Sequence, residues 1–169
     1  MKSISDLAGE ALIIHQPSVW KSYYELKHGE EILGTIRAKG FFGRNVIFKM
    51  ENNEWEIYQP SFWKSEIAIK QSGYELPYAT YRREGFKSRG IVRMYKGEQM
   101  RLEYKLFSSG YSIQTISAEK LVTFKDRVSF KEKTVFYIEK RSELLDKYPW
   151  VIALAWHIML QRKRASHAG

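Results

Sequence analysis

Tyr148 to Leu160 (YPWVIALAWHIML) is apolar on every face of a helix, and Arg162, Lys163 and Arg164 follow it at once. A helix without a polar stripe must be enclosed by protein or lipid, because no side of it tolerates water. Everything before it reads as short β-strands. The pattern predicts one β structure wrapped around one buried helix.

Length argues against a membrane span. Tyr148 to Gln161 is fourteen uncharged residues, roughly 21 Å of helix, whereas crossing a bilayer takes about 20 residues. The helix is therefore expected inside protein. Ser142 is placed to cap a first turn, Glu143 suits the positive end of the helix dipole, and Arg162 to Arg164 suit the negative end. Pro149 either starts the main helix or kinks a continuous one over residues 142–164.

Between Ala11 and Ile138 strand-like runs alternate with turn signals at the spacing of sandwiches and barrels. The runs are Ala11 to His15, Ser22 to Lys27, Ile32 to Ala38, Asn45 to Met50, Glu54 to Tyr58, Glu66 to Gln71 and Pro77 to Arg83. They continue with Gly90 to Tyr95, Met100 to Phe107, Tyr111 to Ser117, Lys120 to Phe124, Val128 to Lys131 and Thr134 to Ile138. His28-Gly29-Glu30, Asn52-Asn53, Lys96-Gly97-Glu98 and Ser108-Ser109-Gly110 supply the residues that tight hairpins need, so consecutive strands are expected to be antiparallel neighbours. One face of Trp55-Glu56-Ile57-Tyr58 and of Ile67-Ala68-Ile69-Lys70 is apolar, the mark of a half-buried sheet.

A barrel of about twelve strands gives a wholly apolar helix walls on every side and leaves no sheet edge exposed. The expected fold is mainly β: a closed, mostly antiparallel barrel around a central hydrophobic C-terminal α-helix. Residues 1–10 are expected loose or as one helical turn, 11–164 as a single domain, and 165–169 as a disordered tail. A lipocalin-like carrier is the rival fold, but there Trp150, Leu154, Trp156 and Met159 would not fill the interior.

The hairpin Tyr23-Tyr24-Glu25-Leu26-Lys27-His28-Gly29-Glu30-Glu31-Ile32-Leu33-Gly34-Thr35-Ile36-Arg37, the basic turn after it, Trp55-Glu56-Ile57-Tyr58 and the closing hydrophobic helix together resemble the tubby-like superfamily. The likeness is strongest to its small LURP-one-related and phospholipid-scramblase-like members and runs over nearly the whole chain. It is one of pattern, and no binding residue is carried over from it. The resemblance implies a twelve-stranded barrel threaded by a helix, phosphoinositide binding through basic surface residues, and membrane association.

The 28 Lys and Arg against 19 Asp and Glu give a formal charge of +9. Such a field draws phosphate-bearing partners, lipid headgroups or nucleic acid alike. The densest basic stretch, Tyr81 to Arg101, holds Arg82, Arg83, Lys87, Arg89 and Arg93. Folded as two strands and their loop, it would aim several cations at phosphate oxygens, Arg by its bidentate fork and Lys as a point charge; the plainer reading is a solvated face. A second constellation, Arg37-Ala38-Lys39-Gly40-Phe41-Phe42-Gly43-Arg44, sets Phe41 and Phe42 to dip into a membrane interface while Arg37, Lys39 and Arg44 meet anionic headgroups. Its plainer reading is a pair of aromatics plugging the barrel end.

The chemistry-bearing motifs are few. There is no cysteine, so disulfides, thiolate metal sites and cysteine nucleophiles are excluded. His157 stands alone in the apolar helix, His15, His28 and His167 have no metal-ligand spacing, and Glu30-Glu31 flank a turn. No nucleophile elbow, P-loop or dinucleotide-binding glycine pattern occurs. No catalytic residue, metal or cofactor is assigned. The N-terminus has no secretory signal pattern, and the expected location is cytoplasmic, peripheral to the inner membrane surface. The expected activity is non-enzymatic binding of an anionic phospholipid or another phosphate-bearing partner. The alternatives are nucleic-acid binding, with Tyr78, Tyr81 and Phe86 as stacking rings, and an enzyme with a surface-groove site.

Overall fold

The computed structural model describes residues 3–18, 22–39, 44–61, 65–85, 88–105, 110–125 and 133–168. A 3-10 turn, Ile4–Leu7, precedes twelve strands: β1 (Ala11–His15), β2 (Tyr23–His28), β3 (Glu31–Lys39), β4 (Asn45–Met50), β5 (Asn53–Tyr58) and β6 (Ile67–Gln71) in the first half. The second half has β7 (Ala79–Arg83), β8 (Arg89–Met94), β9 (Gln99–Lys105), β10 (Gly110–Thr115), β11 (Lys120–Lys125) and β12 (Lys133–Ile138). Two helices end the chain, α1 (Glu143–Lys147) and α2 (Trp150–Ala168).

Each strand pairs antiparallel with its sequence neighbour, and β1 pairs with β12 through Leu12↔Phe136 to close the barrel. Closure leaves no strand edge for another chain to add to. Alternation decides the faces: Leu12 and Ile14, Val46 and Phe48, Met100 and Leu102, and Phe136 and Ile138 point inward and are buried. The run Val128 to Lys131 lies outside the described residues.

The enclosed element is α2. Trp150, Val151, Ile152, Ala153 and Leu154 are five consecutive residues at 0% exposure, which no helix lying on a sheet surface achieves. Tyr24 meets Trp156 edge-on at 4.6 Å, Tyr78 meets Trp150 at 5.9 Å, and Trp156 Nε1 donates to Thr134 Oγ1 at 3.3 Å, so strands from around the barrel grip the helix. Burying each such aliphatic or aromatic side chain contributes about 1.5–3 kcal/mol. The interior that a lipocalin-like carrier keeps for ligand is occupied by Trp150, Leu154, Trp156 and Met159.

The helical region is two helices. Ser142 Oγ accepts from the Leu145 backbone N–H, Tyr148 ends α1, and the carbonyls of Tyr148 and Pro149 take the first bonds of α2. Pro149 therefore starts a new helix, where its missing N–H costs nothing. Helix α2 runs on to Ala168, beyond the end at Arg164 and into the segment expected as a loose tail, because no Gly or Pro stands before Gly169 to stop it.

The up-and-down order gives the barrel two distinct ends. The floor holds the 3-10 turn, α1 and the start of α2, tied together where Ser5 donates its backbone N–H and its hydroxyl to Asp146 at 2.8 and 2.6 Å. Odd-numbered strands run from floor to rim and even-numbered strands return. The C-terminal part of α2 leaves through the rim.

Candidate anion-binding rim

Strand direction decides which basic residues meet. Arg82 and Arg83 are the last two residues of β7 and Arg89 opens β8, so all three stand at the rim. Lys39 ends β3 there, and Arg44 immediately precedes β4. Arg37 lies two residues in from the end of β3, exposed and opposite Ile47 on the outer wall. Arg93 does not join them: it pairs with Thr80 and Gln99, farther toward the floor. Lys87, Phe41 and Phe42 lie outside the described residues.

Several rim cations have carboxylate neighbours. Arg82 reaches Glu66 at 2.7 Å, Arg89 reaches Glu84 at 2.6 Å and Lys39 lies 3.7 Å from Glu56. Such exposed pairs are worth about 0–1 kcal/mol each, so an anionic partner displaces them at small cost. Exposed Lys125, at the end of β11 and over the Tyr137 ring at 4.8 Å, and exposed Lys133, at the start of β12, extend the positive rim around the barrel.

Inside the rim lies a tyrosine corner. The Tyr81 and Tyr104 hydroxyls are 3.5 Å apart, Tyr104 and Tyr111 meet edge-on at 4.9 Å, and the Arg162 guanidinium sits 4.1 Å from the centre of the Tyr104 ring. Burial raises the pKa of all three phenols, and the Arg162 charge works against that rise in each. They stay protonated at neutral pH. Gly90 makes the corner possible, since a Cβ there would lie 2.4 Å from the Tyr81 ring.

His157 anchors α2 to the rim segment. Its ring is 3% exposed, and Nε2, as the protonated nitrogen, donates to the Arg44 carbonyl at 3.2 Å. Desolvation lowers its pKa to about 4 despite the opposing effect of that carbonyl, so the imidazole is neutral. Next along, Lys163 is lowered to about 8 by desolvation.

The residues at the end of α2 are what the sequence reading left out of the site, having given Arg162, Lys163 and Arg164 to the helix dipole. Their position directly after the apolar run was the available signal, because a threaded helix must surface somewhere. Of the stacking rings expected for nucleic acid, Tyr81 faces inward and is buried, Tyr78 is half-buried against Trp150, and Phe86 lies outside the described residues.

A cleft of about 480 Å³ sits at the floor, away from the rim, between Glu51, Asn53, Trp55, Gln71, Tyr78 and Pro149. Among the described residues no three His, Asp or Glu side chains converge on a common point, and no helix is long and apolar enough to cross a membrane. Comparison with protein-family models, with curated proteins and with solved structures found no match.

Proposed function

We propose that the protein is a non-enzymatic binding or adaptor module that contacts anionic phospholipid headgroups at a membrane surface, on the cytoplasmic side, through its basic exterior. The observation that supports this best is the convergence of Lys39, Arg44, Arg82, Arg83 and Arg89 at one rim from two hairpins, β3–β4 and β7–β8, far apart in sequence. Cations gathered near a membrane surface contribute about 1 kcal/mol each, so five of them exceed the cost of breaking their weak exposed ion pairs. The resemblance to the tubby-like superfamily points the same way.

Cosedimentation with phosphatidylcholine vesicles, with and without phosphatidylserine, tests the reading. Wild type is expected to pellet only with the anionic vesicles, and Arg82→Glu with Arg83→Glu to weaken that binding by about tenfold or more. Equal partitioning of both proteins to both vesicles would overturn it.

A further inference from the structure

The two ends of the barrel differ in charge. At the rim the described cations outnumber the carboxylates Glu56, Glu66, Glu84 and Glu103, whereas the floor turns carry Glu30, Glu51, Glu75, Glu98 and Glu119 with lysines and arginines that largely balance them. Lys147 bonds Glu98 at 3.0 Å, Lys140 pairs with Glu119, and Arg141 reaches Asp6 at 3.2 Å. The net positive field therefore points out of one end along the barrel axis.

The last part of α2 adds to that end. Arg162 is held in place by an aromatic ring instead of a carboxylate, and neither Arg162 nor exposed Arg164 has a carboxylate in ion-pair distance among the described residues. A cation positioned by a ring keeps its full charge for a partner, and a ring face holds it without the entropy cost of a loose side chain. The floor, by contrast, exposes Tyr74, Leu76 and Tyr95, at 66%, 81% and 86%. Those side chains are suited to an apolar contact, but Glu75 stands between Tyr74 and Leu76, and Lys96 and Lys147 beside Glu98 only balance the floor's carboxylates, so a floor-first approach gains no net attraction to an anionic surface.

We propose that the protein docks end-on, rim first, on an anionic phospholipid surface, and that Arg162, Lys163 and Arg164 at the end of the core helix form part of the contact. This rests on the membrane reading above. It adds a direction and three residues: the barrel axis stands upright, the wall residue Arg93 is out of contact, and the floor faces away.

The absence of cysteine makes the test direct, because a single introduced thiol takes one environment-sensitive fluorophore. Ser65→Cys labels the rim, next to the start of β6, and Asn52→Cys labels a floor turn. With phosphatidylserine-containing vesicles the rim label is expected to brighten and to be quenched by nitroxide lipid, while the floor label stays unchanged. Arg164→Glu is expected to weaken vesicle binding by about tenfold, while Arg93→Glu, displaced along the wall, leaves it within about twofold. Arg164 is exposed, so its variant should melt with wild type, which separates lost contact from lost fold. Bound protein whose floor label responds, or whose two labels respond equally, overturns the end-on orientation while leaving membrane binding intact. Failure of any vesicle to pellet the protein overturns the membrane reading itself and the orientation with it. Binding of a single-stranded oligonucleotide that Arg164→Glu weakens, without vesicle binding, would make the rim a nucleic-acid surface and also ends the proposal.

Discussion

At the scale of single residues, the interior polar groups are the informative ones, because each buried polar atom must be paired or carry a cost. His157 is the clearest. Its pKa of about 4 in the folded protein lies below the ordinary 6.5, so the unfolded chain holds the extra proton between those values. Stability from this group is complete above pH 6.5 and is lost as pH falls from 6.5 toward 4. Between pH 7 and pH 5 the loss attributable to His157 is about 2 kcal/mol. Urea unfolding at the two pH values, wild type against His157→Gln, should show that difference in slope, since glutamine keeps a donor for the Arg44 carbonyl and does not titrate. Parallel pH profiles would mean that the ring is solvated. The role of His157 as a buried structural group was legible in the sequence from its place in a helix with no carboxylate or nucleophile at helical spacing. Its partner was not, because a backbone carbonyl 113 residues away leaves no pattern.

At the scale of elements, α2 explains the barrel more than the barrel explains α2. Twelve short strands enclose more volume than their own inward side chains fill, and Val46, Ala68, Ala79 and Val92 are small inward or buried residues that leave space for a helix to pass. Removing the helix exposes a hydrophobic lumen instead of creating a ligand cavity. A chain ending at Tyr148 is therefore expected to lose the near-ultraviolet circular dichroism of a fixed core and to have no cooperative thermal transition. A folded, soluble truncation would contradict this. Milder damage should scale with the void: Trp150→Ala is expected to cost about 3–5 kcal/mol. The strands were readable because hairpin residues punctuate a period-two pattern, as in Trp55-Glu56-Ile57-Tyr58. The division at Tyr148-Pro149 was not, since proline is equally at home in the first turn of a helix and at a kink. The far end of α2 was misplaced for a different reason: Ala165 favours a helix, and Ser166 and His167 do not stop one, so the helix continues past the last charged residue.

At the scale of the whole molecule, the basic residues were visible in the sequence as two local stretches, Arg37 to Arg44 and Tyr81 to Arg101, yet their meeting place was not. Which end of a meander a side chain reaches depends on the direction of its strand and its distance from the nearest turn. Arg89 and Arg93 are four residues apart in one strand, and only Arg89 reaches the rim. Contiguity in sequence grouped residues that the fold separates, and it missed Arg162 to Arg164, which the fold brings to the others from the far end of the chain. The two kinds of force in this molecule should then respond oppositely to salt. Folding is held by apolar burial in a closed barrel, with exposed ion pairs adding little, so its melting temperature should change little between about 0.1 and 0.5 M sodium chloride. Attraction between the rim and an anionic surface acts across solvent, where the screening length contracts from about 10 Å at 0.1 M toward 3 Å at 1 M. Vesicle affinity is therefore expected to fall by about tenfold or more over the same range. Cosedimentation and thermal melts on one salt series check both halves: salt-insensitive vesicle binding would assign the contact to the apolar side chains of the floor, Tyr74, Leu76 and Tyr95, and take the cations of the rim out of it.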